Sequence, residues 1–425
     1  MISDKPAPRA PVKTKPEIAQ SLVAGYGRDP RLDFFRGSAM FIIYIAHCRG
    51  NFLWDYIPAR YGISDAADMF VFLSGMAASI AFGGTFVRQG MLMGTARILH
   101  RCWQLLVGHL GVFFTVAAVA VAGSRWYGDT DYVEVLQIQR FFAETPEALL
   151  GLFTLTYVPH YFDILPLYIV VLAMVPAAML LARVSPWLVV VASVALYACA
   201  NLFGLNFMAH ADSQLEWYFN PFAWQLIFFT GFVLGRGWVR VPLDSKPLLY
   251  VSIAILLAGL AISLPSVFAA VPAVDWLRQW VQDNSDKTYL DLLQYAHFLA
   301  SAYVAVVLLR GREHRLLVPA LRPFVKCGQQ ALAVFLSGIV LSDIGGMIFD
   351  HAGTGADVQI VVNAVSFGLL IAVAYGVAWV KGTPWKRRPA AAASARAETI
   401  RAEPGRGVDD GAAEPSPTAA MTAAS

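Results

Sequence analysis

Charge is scarce in this chain. Asp, Glu, Lys and Arg make up 14% of its 425 residues, against about a quarter in an ordinary soluble domain. With 57% hydrophobic residues and a mean hydropathy of +0.56, that shortage excludes a water-soluble class and points to a polytopic membrane protein. The net charge is only +3, and the basic residues are spread in short clusters, which leaves nucleic-acid binding without support. Cysteine is scarce too. Cys48, Cys102, Cys199 and Cys327 are scattered and form no C-x-x-C pair, which argues against a disulfide framework and a thiolate metal site. We therefore expect no metal and no bound cofactor. Residues 1–27 are rich in Pro, Lys and Ala and hold no apolar core before a cleavage site, so no secretory signal is expected there.

What is abundant is long apolar runs. Ten approach the ~20 residues that a membrane-spanning helix needs, at 34–53, 65–86, 98–123, 162–182, 186–206, 219–238, 247–269, 290–310, 328–349 and 358–380. Charge placement supports that division. With the N-terminus cytoplasmic, the outer side receives only Arg49, Arg60, Arg125, Arg140, Arg278 and Lys287 of 32 Lys and Arg. The expected fold is an all-α bundle of ten transmembrane helices with both termini cytoplasmic. Residues 28–382 form its membrane domain, between disordered cytoplasmic segments at 1–27 and 383–425 whose composition cannot bury a core. The stretch "EALLGLFTLTYVPHYFD" in the outer loop 124–161 suits a short interfacial helix.

The first span, within "RLDFFRGSAMFIIYIAHCRGN", is nonetheless charged. Burying an ionisable group there costs about 2.5–3.5 kcal/mol on insertion scales. Arg36 and His47 are eleven residues apart, which on a helix is about 20° beyond three turns and about 16 Å of rise. They share one stripe, with Asp33 one turn before Arg36, where the two can pair. Arg31, Asp33 and Arg36 also fit interfacial anchoring or a structural ion pair, and His47 fits a hydrogen-bonded packing role. As an intramembrane ionisable group, His47 is equally a candidate general base.

The second span opens "SDAADMFVFLSG". Ser64 is a suitable N-cap, and Asp65 and Asp68 lie in the first turn, where the dipole favours anions. Capping alone would account for them. Asp68, or else Asp65, could instead orient His47 and raise its basicity. Ser74-Gly75 reads as a close helix contact. Further polar residues fall at the same outer level: His160, Asp163 and Tyr168; Asn220, Trp224 and Gln225; Tyr295 and His297. Singly each could be an aromatic belt or cap; together they suit a cavity for a hydroxyl-rich carbohydrate. On the inner side Arg97, Arg101, Arg236, Arg322 and Lys326 could hold an anionic donor, although the charge bias of cytoplasmic loops alone predicts them.

The Arg36-x10-His47 pattern followed by "FVFLSG" resembles the acyltransferase-3 superfamily of membrane acyltransferases. More narrowly, "RDPRLDFFRG", "SDAADMFVFLSG", "YFDILPLYIV", "NPFAWQLIFFTGFVLG", "YAHFLASAY" and "CGQQALAVF" resemble the OpgC (MdoC) family, from about Arg28 to the tenth span. The resemblance implies ten transmembrane helices in a bacterial inner membrane, a cytoplasmic succinyl-CoA donor and a periplasmic glucan acceptor. It places the superfamily's arginine and histidine on Arg36 and His47, and those of the third helix on Arg101 and His109. The expected activity is O-acyl transfer. His47 would act as base or, in a covalent variant, as transient acyl carrier, with Asp33, Arg97, Arg101 and His109 on the donor side. A secondary transporter or flippase of an anionic or lipid-linked solute is the alternative. Transporters usually carry matched inverted halves, and no internal repeat is visible. A non-catalytic subunit of an export assembly is the third reading.

Overall fold

The computed structural model describes residues 29–159, 161–210 and 215–385. His160, most of the two terminal segments and residues 211–214 lie outside the described residues. The helices, in chain order, are α1 Pro30–His47, α2 Ala66–Tyr127, α3 Tyr132–Val135, α4 Gln139–Ala143, α5 Thr145–Thr154, α6 Ile164–Ala173, α7 Val175–Val184, α8 Pro186–Phe203, α9 Pro221–Gly235, α10 Lys246–Ser263, α11 Pro265–Phe268, α12 Pro272–Asn284, α13 Leu292–Leu309, α14 Arg322–Gln329, α15 Ala331–Ala352 and α16 Ala356–Lys381. Among the described residues there is no strand, only the isolated bridges Tyr157–His210 and Met208–Glu216. Backbone contacts divide the chain into Met1–Ala378, the body described below, and Trp379–Ser425. In the latter, α16 ends at Lys381 and the rings of Trp379 and Trp385 meet edge-on at 6.2 Å.

Among the described residues, seven helical segments are long and apolar enough to cross a membrane: Ala66–Tyr127, Ile164–Val184, Pro186–Phe203, Lys246–Ser263, Leu292–Leu309, Ala331–Ala352 and Ala356–Lys381. Two of the ten expected segments are not among them, each for a visible reason. Pro30–His47 carries Arg31, Asp33 and Arg36, and Pro221–Gly235 has 15 residues. Two others, the expected second and third spans, run together as one helix of 62 residues. Within it Gly90 adopts φ 83°, ψ 178°, a left-handed-side backbone that only glycine takes readily.

Helix α1 starts where Asp29 accepts the Arg31 N–H at 3.0 Å and Pro30 sets the first φ angle. It then packs on α14 at backbone range. A Cβ at Gly37 would sit 1.8 Å from the Phe324 carbonyl oxygen, and one at Gly328 would sit 1.7 Å from the Asp33 carbonyl oxygen. The same device joins α2 to α9. A Cβ on Gly75 would lie 1.9 Å from Phe228 O, and one on Gly231 would lie 2.2 Å from Phe72 O. Small residues at helix crossings let backbones approach where lipid supplies no hydrophobic drive. Aromatic rings fill the spaces beside these crossings. Phe41 lies edge-on to Phe367 at 5.2 Å, and Phe70 stacks on Phe335 at 5.8 Å.

Candidate functional site

Helix α1 also packs directly on α2, and His47 and Asp65 line one cavity. His47 is the last residue of α1, and Asp65 is the N-cap of α2. Asp65 Oδ1 accepts the Ala67 N–H at 2.8 Å, while its other oxygen pairs with the Lys287 ammonium. Ser64, expected as the cap, is instead bonded through Oγ to His297 Nδ1 at 2.7 Å. Asp68 completes a reciprocal capping box: Oδ2 accepts the Asp65 N–H and Oδ1 accepts from Gln294 Nε2, each at 2.8 Å. Asp68 is fully buried, and neither of those bonds goes to His47. Where the sequence led us to expect His47, the bonds to Asp68 come from Asp65 and Gln294. One oxygen of the carboxylate satisfies the N-cap's own N–H and the other the Gln294 amide.

His47 Nδ1 lies 2.8 Å from the Ile43 carbonyl oxygen. A carbonyl only accepts, so Nδ1 carries the proton and the neutral ring keeps its lone pair on Nε2. The ring lies edge-on to Tyr161 at 5.2 Å. It borders a cavity of about 270 Å³ whose polar walls are His47, Asp65, Tyr161, Asp163, Tyr218 and Lys287, with Ile43, Ala46, Ile57 and Phe335 on the apolar side. A second, much smaller pocket of about 10 Å³ touches His47 together with Arg49, Tyr161, Ser342 and Asp343. Its volume suits one water molecule.

Burial alone would lower the Lys287 ammonium, but Asp65 and the Tyr218 phenol hold it above the usual lysine value. Its loop is fixed from α9. Trp224 Nε1 donates to the Lys287 carbonyl at 3.0 Å, and the Asn220 N–H donates to Thr288 O at 3.2 Å.

The remaining expected site residues are dispersed. Arg36 Nη2 donates to Leu73 O at 2.9 Å, tying α1 to α2, and Asp33 is buried at the α14 crossing. Arg97 bonds Thr85 across the Gly90 bend and covers the Phe82 ring at 5.7 Å. Arg101 bonds Gln104 Oε1 at 3.0 Å. His109 is fully buried with no hydrogen-bond partner for either ring nitrogen among the described residues. Of the described residues expected around a carbohydrate, only Asp163 lines the His47 cavity. Asn220 caps α9, with Oδ1 accepting from Phe222 N at 2.9 Å and Nδ2 donating to Leu205 O at 2.7 Å. Gln225 bonds Ser193 at 2.7 Å and 2.8 Å. Tyr168 lies between the rings of Phe70 and Phe228, and Tyr295 Oη meets Thr230 Oγ1 at 2.7 Å. His297 lines a third, largely apolar groove of about 600 Å³. That groove runs from Asp29 and Arg31 past Phe35 and Leu73 to Ser64 and Asp65.

Sequence reasoning missed Tyr161, Tyr218, Lys287 and Asp343. The first three sit in loops and show no periodic signal. Asp343 was findable, because it interrupts the apolar run "LAVFLSGIVLSDIGGMIF", and the rule that singles out His47 applies to it equally.

A bundle of apolar helices enclosing ionisable side chains around a deep cavity defines a multi-pass membrane protein of site-bearing type. Within that class the chain belongs to the OpgC protein family, which it matches over residues 28–382. No curated protein and no solved structure matches it.

Proposed function

We propose that the protein is an inner-membrane O-acyltransferase with the ten-span topology and cytoplasmic termini expected from its charge distribution. It would move a succinyl group from cytoplasmic succinyl-CoA to a hydroxyl of a periplasmic glucan. Membership of the OpgC family and the apolar helices support a membrane acyltransferase. The observation that carries the reading is the His47–Ile43 bond at 2.8 Å beside the outer cavity. It leaves Nε2 as the basic nitrogen at the edge of a chamber whose carboxylates, phenols and ammonium suit a sugar's hydroxyls.

In the proposed reaction Nε2 takes the proton of an acceptor hydroxyl. The oxygen attacks the thioester carbonyl carbon, the C–S bond breaks, and the proton passes from the imidazolium to the departing CoA thiolate. The apolar groove would give the donor's acyl arm a route from the inner end of α1 to the outer cavity. Groove and cavity share Asp65 and Ala66 as a common wall. Arg36, bonded to the Leu73 carbonyl on the groove's own wall, would position the groove. The test is reconstitution in proteoliposomes with succinyl-CoA on the inner side and linear glucan outside. Succinylated glucan with the parent chain and none with His47→Gln supports the reading. Equal product from both overturns it.

A further inference from the structure

The carboxylate best placed to serve His47 is not in the cavity where an acceptor would sit. Asp343 lies in the middle of α15, 8% exposed. It makes no hydrogen bond and no ion pair among the described residues. An ionised side chain at such a depth costs about 2.5–3.5 kcal/mol. The side chain lines the one-water pocket that it shares with His47, Arg49, Tyr161 and Ser342. Ser342 does not compete for it, because its hydroxyl donates back to Ile339 O at 2.7 Å. Nor does Arg49 occupy it: that guanidinium bonds Asp350 at 3.2 Å and covers the Tyr132 ring at 5.7 Å.

The other acids nearby are disposed differently. Asp68 is consumed by its two donors, and Asp65 by its cap and Lys287. Asp163 faces the large cavity together with Lys287, so a ligand there would reach it directly.

We infer that Asp343 is the positioning carboxylate of His47, facing the ring across a single water and stabilising the imidazolium that forms when Nε2 takes a proton. The Nδ1 proton stays on Nδ1, donated to the Ile43 carbonyl, throughout, and Asp343 neither gains nor loses a proton. With Nδ1 held by the Ile43 carbonyl, the carboxylate acts on the ring through its charge, across a water and not by direct contact. Its chemistry rests on the acyl-transfer reading, whereas its geometry does not.

Two measurements on the full-length chain in lipid nanodiscs decide the inference. A density map that resolves waters is expected to show one water within hydrogen-bond range of both the Asp343 carboxylate and the His47 ring. A collapsed pocket, or Asp343 bonded to another side chain, overturns the pairing whether or not the protein transfers acyl groups. In the kinetic arm Asp343→Asn is expected to lower kcat by about 10²-fold or more with KM unchanged, within the range that general-base assistance supplies. Asp343→Glu is expected to recover part of that loss, and Asp68→Asn to keep kcat within about twofold. Unaltered kcat in Asp343→Asn, or an equal kcat loss in Asp163→Asn, overturns the inference while leaving the transferase reading intact. A parent chain that transfers nothing overturns that reading instead and leaves the pairing to the density map.

Discussion

The Nδ1 of His47 and the carbonyl oxygen of Ile43 are 2.8 Å apart, one helical turn back along the same helix. That bond places the proton on Nδ1 and aims the chemistry at Nε2. His47→Gln keeps a polar side chain but has no basic nitrogen. We expect acyl transfer to fall by about 10²–10⁴-fold, while stability changes by no more than the roughly 0.5–1.5 kcal/mol of one hydrogen bond. Initial rates and thermal unfolding of the purified variant separate the two effects.

Gly328→Ala tests the α1–α14 crossing. The added Cβ would lie 1.7 Å from the Asp33 carbonyl oxygen, so the helices must separate and α1 must shift beneath His47. We expect a loss at or above the upper end of the roughly 1–3 kcal/mol typical of overpacking, read from unfolding in detergent. Gly368→Ala, which meets nothing within 4 Å, is the control and is expected to leave stability unchanged.

How much of this was legible beforehand differs by feature. Each apolar run appears as helix because hydropathy over ~20 residues is a strong, local signal. The stripe logic that singled out Arg36 and His47 also depends only on helical period. What the sequence concealed is pairing across the bundle. Asp65 and Asp68 both looked available to His47, yet a helix N-terminus in an apolar setting has first claim on a nearby carboxylate. Asn220, Trp224 and Gln225 share one helix start, yet they bond Leu205, the Lys287 loop and Ser193, since position along the chain does not determine which face a side chain occupies. Lys287 lies more than two hundred residues from Asp65 in the chain, and only the folded loop brings them together.

Lys287→Met is expected to destabilise the fold by about 1–2 kcal/mol, discounted for the partial exposure of both partners. The folded-state pKa of Lys287 lies above its ordinary value, with desolvation opposing and Asp65 outweighing it. Its contribution is therefore fully present below the unfolded lysine value of about 10.4 and is lost as pH rises through the folded value. The difference in unfolding temperature between parent and variant should stay constant from neutral pH to about pH 9 and narrow only in stronger alkali. A difference that vanishes near neutral pH would contradict the pairing.

Asn220→Ala separates a cap from a ligand-binding role. Removing the cap and the bond to Leu205 O is expected to cost about 2 kcal/mol and to leave acceptor KM within about twofold. Asp163→Asn, in the cavity itself, is expected to do the reverse: a raised acceptor KM with little change in unfolding temperature. Titration of the acceptor against both variants gives the answer.

The central claim is that this chain carries an acyl group across to an outer hydroxyl by way of His47. Mass spectrometry of glucan recovered from outside proteoliposomes loaded with succinyl-CoA tests it most directly. The account predicts glucan heavier by one succinyl group per transfer with the parent chain, and unmodified glucan with His47→Gln reconstituted to the same density. Unmodified glucan in both, together with flux of an anionic solute through the parent chain, would contradict it and make the protein a transporter.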